Sequence, residues 1–166
     1  LISCQFTGVV TGDSEVGGIV GRNESEGTID HSTARAIVTG KSSTGGIAGY
    51  NLGAITGCTN VGSINTEYQE ASLDTDGFTA KMVDHINNRM STADNDTTNS
   101  VTNVATDTGG IAGRSSGMIL TSVNTGAVGY EHIGYNVGGI VGRTDGLVSG
   151  CVNQGHVLGR KDVGGI

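Results

Sequence analysis

Apolar residues run along this chain in short stretches of a few positions, each closed by Gly or by polar side chains. The stretches recur with fixed internal spacing. An aliphatic residue is followed three positions later by Cys or Ser, four later by Gly or Ala, and two later by Val or Ile. The instances are Leu1/Cys4/Gly8/Val10, Ile29/Ser32/Ala36/Val38, Ile55/Cys58/Gly62/Ile64, Ile119/Ser122/Gly126/Val128 and Val148/Cys151/Gly155/Val157. A Gly-Gly-Ile tripeptide follows each, beginning at Gly17, Gly45, Gly109, Gly138 and Gly164. Gly17 lies thirteen positions after Cys4, as do Gly45 after Ser32 and Gly164 after Cys151, and thirteen more lead from Gly45 to Cys58, so the base period is 26.

A 26-residue period holding three short apolar stretches suits one coil of a parallel β-solenoid, in which each repeat buries its apolar face only against its neighbours. The expectation is an all-β, β-helix-like parallel solenoid of about five 26-residue coils with one inserted α-helix, forming a single domain over residues 1–166. In the first copy the strands would lie near Leu1–Gln5, Gly8–Gly12 and Val16–Gly21. Recurrent Gly marks corners that need positive φ or points where backbones crowd. Stacking also predicts columns. Phe6, Ala34, Asn60, Asn124 and Asn153 fall in one, and its three Asn would form an amide ladder along the axis; Arg22, Tyr50, Arg114 and Arg143 fall in an outward one. The chain opens inside one repeat and stops at a Gly-Gly-Ile, which reads as a fragment of a longer protein.

Departures from the period carry the individuality of the chain. Two residues are added near Asn23–Glu26 and three within Gly129–Asn136; Gly109 lies 51 positions after Cys58, 38 more than the base spacing. This large insertion is placed at 66–103. Within it, Asp76 can cap a helix over 78–90 with Phe78, Met82, Val83, Ile86 and Met90 on one stripe and Lys81 and Arg89 among the residues opposite. The polar run 91–100 reads as loop. Because the coils are in register, the Gly129–Asn136 loop should emerge near the base of this insertion. Tyr68, Tyr130, Tyr135 and Tyr50 are then candidates for one aromatic contact patch, since Tyr and Arg concentrate binding energy. The partner-binding candidates are Tyr68, Lys81, Arg89, Tyr130, His132 and Tyr135.

Composition sharpens this picture. Thirty Gly with no Trp, two Phe and four Tyr leave a core of Val, Ile, Ala and close backbone approach. The absence of Pro fits coils that must each donate N–H groups to the next. A formal charge of −7 argues against nucleic acid and anionic membrane as partners, both of which select a basic face, and no apolar run is long enough for a transmembrane helix. Cys4, Cys58 and Cys151 alternate with Ser in one column, which sets the nearest sulfurs about 9–10 Å apart, beyond disulfide reach. They are expected to be inward free thiols.

Chemical motifs are sparse. Gly113-Arg-Ser115-Ser-Gly117 matches a nucleophile elbow, but Gly113 and Gly117 are ordinary repeat positions and no strand-to-helix turn is expected there. His31, His85, His132 and His156 occur singly. Asp74-Thr-Asp76-Gly77 fails as an EF-hand because Ser72 and Val83 stand where carboxylates are required. No metal, no cofactor and no enzymatic activity are expected. A β-helical carbohydrate-active enzyme would need a carboxylate pair beside aromatic platforms, and the aromatic residues are too few.

Val16-Gly-Gly-Ile-Val-Gly-Arg22, Thr44-Gly-Gly-Ile-Ala-Gly-Tyr50 and Val137-Gly-Gly-Ile-Val-Gly-Arg143, with Gly-x-Ile-x-x-Cys-x-Asn-x-Gly over 53–62, resemble GLUG-motif repeats. That family occurs in large bacterial surface and secreted proteins, including adhesin-like proteins and non-catalytic parts of IgA-specific metallopeptidases; the copies are also similar to those in long surface proteins of gut Firmicutes. The resemblance implies a non-catalytic module at the bacterial cell surface or secreted, binding a host or extracellular protein through the insertion and adjacent loops. Immunoglobulin (IgA or Fab) is the partner it implies, beside neighbouring repeats of the parent protein. The competing reading is a structural stalk with no ligand.

Overall fold

The structure, a computed structural model, describes residues 1–67, 105–131 and 133–166. The first turn is made of β1 (Gln5–Thr11), β2 (Ser14–Gly17), β3 (Val20–Asn23) and β4 (Thr28–Asp30). The second is β5 (Thr33–Thr39), β6 (Ser42–Gly45), β7 (Ala48–Asn51) and β8 (Ala54–Thr56); the third is β9 (Thr59–Asn60), β10 (Thr106–Gly109), β11 (Ala112–Ser115) and β12 (Met118–Leu120). The fourth is β13 (Val123–Asn124), β14 (Tyr135–Gly138), β15 (Val141–Thr144) and β16 (Leu147–Ser149), and β17 (Val152–Asn153) and β18 (Lys161–Gly164) begin another. Strands at the same place in successive turns pair in parallel, giving four sheets: β1-β5-β9-β13-β17, β2-β6-β10-β14-β18, β3-β7-β11-β15 and β4-β8-β12-β16. The chain is therefore an all-β parallel solenoid, with no helix among the described residues. The expected helix over 78–90 and its flanks lie outside them.

Two expectations change. Four turns close, where about five coils were expected, and each has four sides instead of three. The stretch Val16–Gly21 is divided, because Gly18-Ile19 turns the chain between β2 and β3. The aliphatic stretch that opens each copy is divided as well, by a left-handed residue at the same place every time: Ser3, His31, Gly57, Thr121 and Gly150, with φ between 45° and 64°. A second left-handed column, Glu15, Ser43, Asp107, Asn136 and Asp162, bends β2 and its stacked partners. Gly-Gly itself has ordinary φ; it is required by proximity. A Cβ on Gly45 would lie 2.2 Å from the Ala48 carbonyl oxygen and 2.7 Å from the Ala112 Cα.

In-register stacking places like on like. Ile29, Ile55, Ile119 and Val148 align across one sheet, and Ile47, Ile111 and Ile140 stack beside them; with the paired alanines Ala48 and Ala112 they form the larger apolar cluster. Val38, Ile64, Val128 and Val137 form the smaller one. Each fully buried Ile or Val contributes roughly 1.5–3 kcal/mol relative to exposure.

The predicted amide ladder is present. The register runs Phe6, Ala34, Asn60, Asn124, Asn153. Asn60 Nδ2 donates to Asn124 Oδ1 at 2.8 Å, and Asn124 Nδ2 donates to Asn153 Oδ1 at 2.8 Å. A second ladder was not foreseen: Asn23 Nδ2 donates to Asn51 Oδ1 at 2.7 Å, and Asn51 Nδ2 to Ser115 Oγ at 3.0 Å. The Cys/Ser column forms a third. The Cys4 N–H donates to Ser32 Oγ, the Ser32 N–H to Cys58 Sγ and the Cys58 N–H to Ser122 Oγ. The three cysteines are free thiols, and burial pushes the Cys58 thiol above its ordinary pKa.

Candidate functional site

The corner between the first and second strand of each turn is closed in the first two turns by Gly12-Asp13 and Gly40-Lys41. In the third turn the chain leaves there. Ile64 still bridges Val38 and Val128, Asn65 adopts a left-handed conformation, and the strand resumes with Thr106 opposite Ser42, its N–H donating to the Lys41 carbonyl at 2.9 Å. The excursion is thus neutral for register. In the fourth turn the chain leaves after Val128 and resumes at Tyr135, opposite Thr106. These two departures from the period share one corner, as the spacing implied, whereas the two residues added near Asn23–Glu26 lie between β3 and β4.

Asn65 replaces the missing corner. Its Oδ1 accepts the Gly40 N–H at 2.8 Å and its Nδ2 donates to Thr108 Oγ1 at 3.0 Å, while the residue itself is buried. Thr108 belongs to the inward column Val16, Thr44, Thr108, Val137. The neighbouring Thr44 hydroxyl is buried without a hydrogen-bond partner. Opposite outcomes follow from one substitution at two adjacent rungs. Thr44→Val removes an unsatisfied hydroxyl and is expected to stabilise the fold by about 1 kcal/mol. Thr108→Val strips Asn65 of its acceptor and is expected to cost about 1–2 kcal/mol. Urea unfolding of the two variants checks the signs, and equal shifts would refute the assignment.

Tyr130, exposed, pairs with Ile133 in a short antiparallel bridge that shapes the fourth-turn loop. Tyr135 opens β14, half-buried, with the Arg160 guanidinium 5.8 Å from its ring centroid. Lys161 pairs with Tyr135 in register. Sequence reasoning missed Arg160 and Lys161, although the 26 residues from Tyr135 to Lys161 equal the period. Lys41 and Asp13 form an ion pair at 2.6 Å on the same corner. Tyr68, Lys81, Arg89 and His132 lie outside the described residues.

Tyr50 does not join this patch. It lies on β7, in the outward column Arg22, Tyr50, Arg114, Arg143, and the corner belongs to the two strands before it in each turn. The guanidiniums of Arg22 and Arg114, from the turns on either side, lie 5.0 and 5.4 Å from its ring centroid, and its hydroxyl hydrogen-bonds Ser116 Oγ at 3.1 Å. Arg22 reaches Glu15 at 2.9 Å and Glu24 at 3.0 Å. Desolvation opposes its charge, yet these carboxylates hold its pKa above the ordinary value.

Ser115, the centre of the elbow-like motif, is a fully buried rung of the second ladder, and its hydroxyl is held by Asn51. Among the described residues, no group of three or more His, Cys, Asp or Glu is placed to hold a metal ion.

Residues 12–39 match the family model of the GLUG motif. The matched stretch is one turn of the solenoid, from the corner before β2 to the end of β5. It supports a GLUG repeat region. No curated protein and no solved structure matches the chain.

Proposed function

We propose that this chain is a non-catalytic binding module of a bacterial surface or secreted protein, whose solenoid holds one corner toward a host or extracellular protein. The observation that carries the reading is the shared origin of the two larger of the three departures from the period. The 66–103 insertion and the Gly129–Gly134 loop leave the stack at successive rungs of one corner, beside Tyr130, Tyr135, Arg160 and Lys161. Insertions on one face are where repeat proteins place their contacts, and Tyr and Arg are the side chains that concentrate binding energy. Immunoglobulin is the first partner to test, on the strength of the resemblance to repeat regions linked to IgA.

The test is biosensor binding of the purified chain to IgA, IgG and a Fab panel. Replacing 66–103 by a short turn, or Tyr135 and Arg160 by Ala, is expected to weaken binding at least about tenfold. Retained binding in both variants moves the site off this corner. No binding by the intact chain removes immunoglobulin as the partner and favours a spacer role.

A further inference from the structure

The third and fourth strands of each turn carry a surface that the insertion corner does not use. Arg114 and Arg143 are adjacent rungs of the outward column, about 4.8 Å apart. Among the described residues neither forms an ion pair, whereas Arg22, in the same column, is held by two carboxylates. The carboxylate column that supplies Glu15 to Arg22 offers Asp107 further along, and Asp107 Oδ1 is instead taken by Asn136 Nδ2 at 2.7 Å. The Asp145 carboxyl is held below its ordinary pKa chiefly by a hydrogen bond with Ser116, with Arg114 and Arg143 acting from beyond ion-pair distance.

Four residues further along the chain the same two turns present Met118 and Leu147, paired in register and pointing outward. Met118 has a stacked neighbour on each side, Ala54 and Leu147, and is still 44% exposed; Leu147 is 54% exposed. Two cations without an ion-pair partner and the ring of Tyr50, on the third strands, thus adjoin two exposed apolar side chains on the fourth strands across one corner. That is the composition of a binding hot spot with its polar complement missing.

We propose that this face, centred on Arg114, Arg143, Met118 and Leu147, is a second docking surface that takes an acidic protein segment whose carboxylates alternate with apolar side chains. Charge complementarity selects the occupant: the guanidiniums take carboxylates, and the Met118–Leu147 pair takes the apolar positions. An anionic membrane would meet the same cations, but such a surface selects a cluster of about four to eight Lys or Arg, and this face offers only the Arg114–Arg143 pair.

The experiment is fluorescence anisotropy with a labelled peptide of repeated Glu-Glu-Leu-Leu and its Lys-Lys-Leu-Leu counterpart. Two double variants are compared, Arg114→Glu with Arg143→Glu and Met118→Ser with Leu147→Ser, with Arg114→Gln and Leu147→Thr as milder replacements should either unfold. The expected result is saturable, salt-weakened binding of the Glu peptide alone, reduced at least about tenfold in each variant. It should be unchanged when 66–103 is replaced by a short turn, which separates this face from the insertion corner. The proposal is overturned by no binding, by equal binding of the Lys peptide, by undiminished binding in the variants, by capture of phosphatidylserine vesicles in place of the peptide, or by sedimentation showing that the face pairs two copies of the chain.

Discussion

Asn124→Ala is expected to destabilise the solenoid by about 3–5 kcal/mol, near the upper end for a single substitution. The side chain is fully buried and every hydrogen-bonding site on it is used. Nδ2 donates to Asn153 Oδ1 at 2.8 Å and to the Gly126 carbonyl at 2.9 Å; Oδ1 accepts from Asn60 Nδ2 at 2.8 Å and from the Gly126 N–H at 3.2 Å. Truncation leaves four partners without their bonds, two of them amides on neighbouring turns. An unsatisfied buried polar group costs about 1–3 kcal/mol, and relaxation recovers part of the sum. Asn153 supplies the control. Its side chain is half-buried and makes three bonds, one in the ladder and two to the Gly155 backbone, so Asn153→Ala should cost only about 1–2 kcal/mol. Urea denaturation measures both, and an Asn124 variant within about 1 kcal/mol of the parent would show that the ladder specifies register without stabilising it.

What could be read beforehand was whatever depends on the period alone. A stacked coil turns sequence spacing into spatial adjacency, so the Asn60–Asn124–Asn153 column and the Arg22–Tyr50–Arg114–Arg143 column follow from counting residues. Strand boundaries do not, because they depend on φ. The left-handed positions before Gly-Gly hold Glu, Ser, Asp, Asn and Asp, and no shared residue type marks them. The second ladder had a usable signal. Asn51-x-Gly53 repeats the Asn-x-Gly of Asn60, Asn124 and Asn153, with Asn51 likewise donating to the carbonyl two residues on. Ser115 obscured it by taking the next rung. At the candidate site, grouping by residue type placed Tyr50 wrongly beside Tyr130 and Tyr135. Following the register would have sent it to the arginine column and brought Lys161 beside Tyr135.

Gly46→Ala is the second substitution with a large expected effect, about 3–5 kcal/mol of lost stability. A Cβ at this position would sit 2.3 Å from the Gly110 carbonyl oxygen and 2.4 Å from Asn60 Cγ. The first obstacle is backbone of the adjacent turn, which cannot move without opening the parallel stack. The second is a rung of the amide ladder. The small residue at Gly46 thus exists to admit the ladder across the interior, and the same opposition recurs at Gly110 with Asn124 and at Gly139 with Asn153. Two comparisons separate these causes. Gly165, where a Cβ would meet nothing within 4 Å, should accept Ala without loss. The double variant Gly46→Ala with Asn60→Ala relieves the side-chain clash and leaves the carbonyl clash, so its cost should fall short of the sum of the singles by about 1 kcal/mol or more. Strict additivity would show that the backbone contact alone demands glycine, and a Gly46→Ala protein as stable as the parent would mean the turns are spaced more loosely than this packing requires.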